Sequence, residues 1–329
     1  MNKVVRKMAE GIFMIKLPMP FRMKHVNIFL FLEEEGFTLI DTGPNLPGVL
    51  PALEEALFQI GRRLEDCRRI IITHFHMDHC GLAGMIAERS GAPISLSEIE
   101  HQTIHTFSED DGRVERMKDF CTKNGLDNAA IEKITRTFLA FQKATSPFTA
   151  SGYLADGDRL SVGSTEIEVV STPGHSRGHL SFLLPTERFL IAGDHILPAI
   201  TPNLSPDLIA PEFQPLESFL ESLTKVEQLE IETIWPSHGP SFKNIRERIA
   251  EMREHHTERT KITLQALNDG PKTASQVATF IFGDDLPVFD RFLALNESYV
   301  HLIALEKRDL ISKSREDGKD LFLRRRQTQ

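Results

Sequence analysis

The chain of 329 residues is 40% hydrophobic and 26% charged, which suffices for a full core arranged as one large domain or two smaller ones. Its formal net charge of -9, from 38 Lys and Arg against 47 Asp and Glu, repels polyphosphate at long range and weighs against a body that binds nucleic acid without specificity. A charged N-terminus without an apolar h-region (MNKVVRKMAEGIF), no apolar run long enough for a bilayer, and three cysteines without CxxC spacing (Cys67, Cys80, Cys121) predict a soluble, unprocessed protein of the reducing cytoplasm, with neither disulfides nor a membrane partner.

In chain order, NIFLFLEEEGFTLIDTG joins two apolar β-rich runs, between Ile28 and Ile40, through an acidic turn with Gly36, and predicts a hairpin ending at Asp41. LPALEEALFQI, Leu50 to Ile60, carries apolar positions at helical spacing, and RIIIT, Arg69 to Thr73, is a continuous run of the kind found in buried strands. THFHMDHCG follows directly, and GLAGMIAERSG reads as a helix stopped by Gly91, so the histidine run falls in a strand-to-helix loop. From about Glu98 to Phe148 the pattern is helical, with Met117, Phe120, Ile131, Ile134, Phe138 and Phe141 as apolar faces. ADGDRLSVGSTEIEVVSTPGH and HLSFLLPTERFLIAGDH return to short strands, ESFLESLTKVEQL to a helix, and TIWPSHGP to a short strand and loop. FKNIRERIAEMREHHTERTKITLQAL is a long, charged helical connector with an expected break near Thr260. Two helices and a hairpin around Asp317 and Gly318 close the chain, without internal repeats or low-complexity tracts.

The histidine run carries the chemistry. Imidazole and carboxylate suit zinc, manganese or iron, and a thiolate set is missing. With His74 and His76 alternating outward from an extended segment, both face one ion, while Asp78 and His79, at the turn, point toward a second position. One loop thereby starts two sites, and each needs further ligands. His175 in STPGHS, Asp194 in IAGDH and His238 in PSHGP lie in comparable strand-end loops beside Gly or Pro.

These motifs, His74-x-His76-x-Asp78-His79, the early IDTG from Ile40 to Gly43, and His175, Asp194 and His238 in order, resemble those of the metallo-β-lactamase superfamily over roughly residues 10 to 250. The resemblance implies an α/β fold, an αββα sandwich with two divalent metal ions at one edge between the sheets, zinc foremost and iron or manganese as alternatives. Carried over position by position, His74, His76 and His175 bind one metal, Asp78, His79 and His238 the other, and Asp194 bridges them. Two ions about 3.5 to 4 Å apart share a hydroxide and polarise a carbonyl or phosphoryl oxygen. Asp78 is then the catalytic residue that orients the hydroxide and accepts a proton, and Asp41 the acceptor for a ligand histidine.

Residues 1–258 are expected to form the catalytic domain, with the helical insert at about 98–148, and residues 259–329 a C-terminal domain that resembles the winged helix accompanying β-lactamase-like hydrolases. His179 is expected to make structural hydrogen bonds, Arg177 to be an exposed loop arginine, Cys80 a small buried hydrophobe, and His195 a packed neighbour of the site. The pair His101 and His105, and His255 with His256, read as solvated. The apolar positions of the insert are expected to pack on the sandwich, with Met117, Phe120 and Phe138 as the alternative lining of a lid. Arg324, Arg325 and Arg326 are offset by Glu316, Asp317 and Asp320, which dilute a DNA-binding wing.

Fold and metals do not fix the substrate. The leading expectation is hydrolysis of a small-molecule thioester of acyl-CoA or glutathione type, as glyoxalase II-like members of the superfamily perform. The alternatives are phosphodiester cleavage of RNA, lactone or β-lactam hydrolysis, and a non-enzymatic regulator that binds DNA through its winged helix.

Overall fold

The computed structural model describes residues 4–20, 22–108 and 112–325, the side chains of 105–108 excepted. Four antiparallel strands open it: β1 (Val5–Ala9), β2 (Ile12–Pro18), β3 (His25–Glu33) and β4 (Gly36–Ile40). Helix α1 (Val49–Gln59), β5 (Cys67–Ile71), α2 (Met77–Cys80), α3 (Ala83–Ser90) and β6 (Ile94–Leu96) follow. The insert then supplies α4 (Glu98–Ser108), α5 (Arg113–Lys123) and α6 (Asn128–Lys143) before β7 (Gly152–Tyr153). These seven strands form one sheet in sequence order, parallel from β4 to β7.

The second sheet has the order β12-β11-β10-β9-β8, from β8 (Arg159–Val162), β9 (Thr165–Ser171), β10 (Leu180–Leu184), β11 (Phe189–Gly193) and, after α7 (Pro215–Glu227), β12 (Thr233–Pro236). The C-terminal segment comprises α8 (Ile245–Gln265), α9 (Ala274–Phe282), α10 (Val288–Lys307) and the hairpin β13 (Ile311–Glu316) and β14 (Lys319–Arg324). Asp317 and Gly318 turn this hairpin with φ 48° and 77°, the positive values that a two-residue turn between twisted strands requires.

β3 explains why the fold has four layers. Its run VNIFLFL is apolar at nearly every position, so both faces need cover. Val26, Ile28 and Leu30 pack outward with Leu53 and Leu57 of α1 and Ile86 of α3. Phe29 and Phe31 face inward to meet Phe182, Ile191 and Trp235 of the second sheet, with Phe29 stacked on Trp235 at 5.8 Å. The outer face of the second sheet is covered by Phe219 and Leu223 of α7, Ile249 and Met252 of α8, and Val300 of α10. Helix, sheet, sheet, helix is thus the order of layers, as expected.

Two expectations need correction. α8 runs unbroken through Thr260, where a break was expected, and spans the 258/259 boundary. The first sheet also begins with β1 and β2, in a stretch to which the sequence assigned no element. Ile104 of α4 does pack on the sandwich, but α5 and α6 do not: Met117, Phe120, Ile131 and Ile134 share one buried cluster with Leu267, Val277, Leu302 and Phe322 of the C-terminal segment. The same packing rules out Met117 and Phe120 as the lining of a lid. Among the described residues no helix is long and apolar enough to cross a membrane.

Candidate metal centre

All seven expected residues converge at the edge where β5, β11 and β12 end. Asp41, just past β4, organises the first group. Its φ of 62° is a left-handed conformation that Asp tolerates better than most residues. Oδ1 of Asp41 accepts from the Thr73 amide at 2.9 Å and Oδ2 meets His79 Nδ1 at 2.8 Å. The Thr73 hydroxyl donates to Asp41 and, at 3.0 Å, can then only accept from His74 Nδ1. His175 Nδ1 donates to the Asn203 carbonyl at 2.9 Å, and His238 Nδ1 to the His25 carbonyl at 3.1 Å. With a hydrogen on each Nδ1, Nε2 is the nitrogen that His74, His79, His175 and His238 each turn toward the centre as a prospective ligand.

The inward atoms meet in two adjacent groups. In the first, His76 Nδ1 stands 2.9 Å from His74 Nε2 and 3.0 Å from His175 Nε2. In the second, His238 Nε2 is 3.3 Å and His79 Nε2 3.6 Å from Asp78 Oδ2. Asp194 lies between: Oδ2 is 3.6 Å from His175 Nε2, while Oδ1 is 3.4 Å from His238 and 3.6 Å from His79.

A tetrahedral ion with ligands at 2.0–2.1 Å sets ligand atoms about 3.3 Å apart, so the donor set has the spacing of a coordination shell. Among the described residues, His79 Nε2, His238 Nε2 and Asp194 Oδ1 are buried without hydrogen-bond partners, an expensive arrangement unless a cation satisfies them. The residues therefore fit two metal ions in neighbouring positions, and three overlapping donor triplets, His74/His76/His175, His74/His79/Asp194 and Asp78/His79/His238, span them.

The electrostatics of the halves differ. Burial lowers His74 and His175 and pushes His76 down to about 3, which keeps these imidazoles neutral and ligand-ready. In the other half burial opposes charge as well, yet Asp78, Asp41 and Asp194 hold His79 well up, and Asp194 and Asp78 hold His238 at about 10. The two site carboxylates are lowered against the pull of burial by those histidines. That half thus carries protons where a metal would bring its charge.

The pattern of the Metallo-beta-lactamase superfamily matches residues 22–238, a span that contains every one of these donors. The chain belongs to the metallo-β-lactamase superfamily. A probable metallo-hydrolase of Bacillus subtilis is 28% identical over 325 residues, covering 92% of this chain and 95% of that protein. An atrochrysone carboxyl ACP thioesterase of Aspergillus fumigatus is 29% identical over 155 residues, covering 43% of this chain and 46% of that one. The crystal structure of a metallo-β-lactamase family protein from Thermus thermophilus superposes with a TM-score of 0.85 at 28% identity, over 97% of this chain and 100% of its own. This superfamily member is a metal-binding hydrolase with a binuclear site.

Other expected roles are resolved by contacts. His179 is a hydrogen-bonding residue: Nδ1 meets Thr172 Oγ1 at 2.8 Å and Nε2 accepts from the Asp194 amide at 3.1 Å. Gly193, at φ 53°, makes room for it, since a Cβ there would lie 2.6 Å from His179 Nε2. Arg177 is not a free surface group but pairs with Asp207 at 2.9 Å. His101 is buried, not solvated, with its ring on Tyr153 Oη at 3.0 Å and the Ala150 amide at 3.2 Å. The side chain of His105 and all of Arg326 lie outside the described residues. Cys80 is buried as expected, and His195 packs edge-on to Phe219. His256, expected on the surface, is buried.

Sequence reasoning missed Asn27. From β3 its amide group donates to the carbonyls of Pro236 and Gly239, both at 2.9 Å, and so pins the His238 loop to the opposite sheet. It missed Asn203 as well. The side chain of Asn203 donates to the Leu293 carbonyl of α10 at 3.2 Å and accepts from Ser205 at 3.1 Å, and Ser205 in turn accepts from Asn296 at 3.2 Å.

Proposed function

We propose that the protein is a thioester hydrolase of the cytoplasm. His74, His76 and His175 would hold one metal and Asp78, His79 and His238 the other, with Asp194 placed between the two groups to serve both. Bound there, two divalent ions, zinc foremost, supply Lewis-acid polarisation of the substrate carbonyl and activation of water. The chain's own groups do the rest. Asp78 carries the proton, because its side chain is 16% exposed against 7% for Asp194 and so reaches both the cluster and the incoming substrate. Asp41, Asn203 and the His25 carbonyl keep the ligand rings oriented.

The observation that carries the choice of substrate is the wall beside His76. The Phe75 ring lies 4.4 Å from that of His76. The Arg113 guanidinium sits 5.9 Å from the Phe75 centroid and 5.5 Å from that of Phe138. One turn further along α6, Phe141 meets Phe289 of α10 at 5.2 Å. Aromatic rings beside the metal loop suit an apolar acyl chain, and the similarity to a fungal thioesterase points the same way. We read α9, α10 and the β13–β14 hairpin as a winged-helix-like module that backs the insert. Its wing does not favour nucleic acid, since Lys313 and Arg315 both close on Asp320, at 2.7 and 2.6 Å.

The test is a panel of acyl-CoA, acyl-pantetheine and glutathione thioesters, RNA, lactones and a chromogenic β-lactam, run on metal-replete protein with metal content measured on the same sample. Thioester turnover lost on chelation supports the reading; cleavage of RNA alone overturns it.

A further inference from the structure

Glu100 is one of the few fully buried carboxylates, and its oxygens take no place among the converging donors. The local sequence SEIE, Ser97 to Glu100, has the form of a helix capping box, in which the glutamate normally reaches back to the backbone of the capping serine. Here only half is made: the Glu100 amide donates to Ser97 Oγ at 3.1 Å. The carboxylate instead points at the metal loops. Oε2 accepts from the Phe75 amide at 2.8 Å, and Oε1 from Ser176 Oγ at 2.8 Å and the Gly178 amide at 2.7 Å.

Phe75 stands between His74 and His76, while Ser176 and Gly178 flank His175. One carboxylate thus ties together two stretches of chain whose facing histidines are 99 residues apart. The approach is close enough to require glycine at 178, where a Cβ would lie 2.8 Å from Ile99 Cβ and 2.9 Å from Glu100 Cγ. Three donors occupy the carboxylate, so it is anchored on both sides and cannot swing toward a ligand without giving up bonds that burial makes costly to lose.

We propose that Glu100 is a positioning residue: by clamping the Phe75 and Ser176–Gly178 backbones it sets the spacing of His76 and His175, and with it the metal affinity of the three-histidine pocket. This rests on the assignment of His74, His76 and His175 to one metal.

The experiment uses the full chain and the variants Glu100→Gln, Ser176→Ala and His175→Ala. Stoichiometry and affinity are read with zinc against a chelating dye, the cobalt(II) absorption spectrum of each loaded protein is recorded, and the metal-free urea midpoint serves as a control for folding. In Glu100→Gln the side-chain NH2 replaces one acceptor and confronts the N–H of one loop or the other. The expected result is one zinc bound about 10 to 100 times more weakly, the other unchanged, and an altered cobalt spectrum. Ser176→Ala, which removes one of three donors and spares the carboxylate, should weaken the same zinc by a smaller factor, and it decides the matter if Glu100→Gln does not fold. Wild-type affinity and spectrum in the folded Glu100→Gln protein, or in Ser176→Ala should that stand alone, overturn the proposal. Retention of both metals by His175→Ala instead overturns the ligand assignment beneath it.

Discussion

Among the described residues two groups of neighbouring buried histidines stand out, and only one of the two has the geometry of a metal centre. At the sandwich edge, ring nitrogens from separate loops face one another and two carboxylates, while the opposite ring nitrogens of four are pinned by backbone or side-chain acceptors. Between α8 and α10, His256 and His301 are also buried and stack at 5.4 Å, with His256 Nδ1 3.4 Å from His301 Nε2 and the other His301 nitrogen on Thr260 at 2.8 Å. No third donor joins them in a metal-binding triplet among the described residues. Burial and crowding of imidazoles are therefore not the signature; convergence of pinned rings with carboxylates is.

Removing the shared carboxylate should break the contrast most severely. Asp194→Ala is expected to lose both metals and with them hydrolysis, a fall beyond the roughly 100-fold typical of groups outside the ligand shell. Full metal content in that variant would refute the bridging role. Next come the separate halves: His175→Ala and His238→Ala should each retain about one metal of two, measured by elemental analysis after dialysis, and loss of both from either would mean that the pockets are not independent. Asp41→Asn keeps the shape and tolerates the left-handed backbone but weakens the hold on His79. It should reduce metal affinity by about 10 to 100-fold, seen in chelator competition, with little change in substrate KM.

His301→Gln should have the smallest effect, leaving metal content and turnover as they are while changing the response to acid. Burial lowers His256 to about 4 and His301 to about 3, against an unfolded value near 6.5. The unfolded chain thus binds more protons below pH 6.5; stability is full above that pH and is lost as the pH falls toward 4 and then 3, by about 1.4 kcal/mol per pH unit for each proton. Urea midpoints between pH 7 and 4.5 should fall less steeply in His301→Gln, and an unchanged slope would show that the pair does not titrate as its burial requires.

Much of the centre was legible because its densest part is local. His74, His76, Asp78 and His79 lie within one loop, and His175, Asp194 and His238 each sit beside a Gly or Pro that marks a strand end. The acceptor role of Asp41 could be read from its place at the end of a hairpin. Asn27 and Glu100 could not, because an asparagine in a strand and a glutamate in a first helical turn are ordinary, and their partners lie 209 and up to 78 residues away. His256 was misread for a different reason. The stretch REHHTERT is so charged that it hides a stripe of Ile245, Ile249, Met252, His256 and Thr263, all buried and spaced by helical steps. The insert teaches the complementary limit: periodicity says that Met117 and Phe120 have a covered face, but not that Leu302 and Phe322 cover it.

The chain of contacts from α10 through Asn296, Ser205 and Asn203 to His175 also bears on how this architecture can be recombined. A sandwich trimmed of its last helices would keep all seven donors and still lose the Leu293 carbonyl and the Asn296 amide that steady one of their supports. The exchangeable unit is therefore larger than the sheets and their metal loops. A chimera that imports another relative's C-terminal segment has to import the matching stretch from Asn203 to Asp207 with it, or its first defect will appear in the metal site, far from the splice.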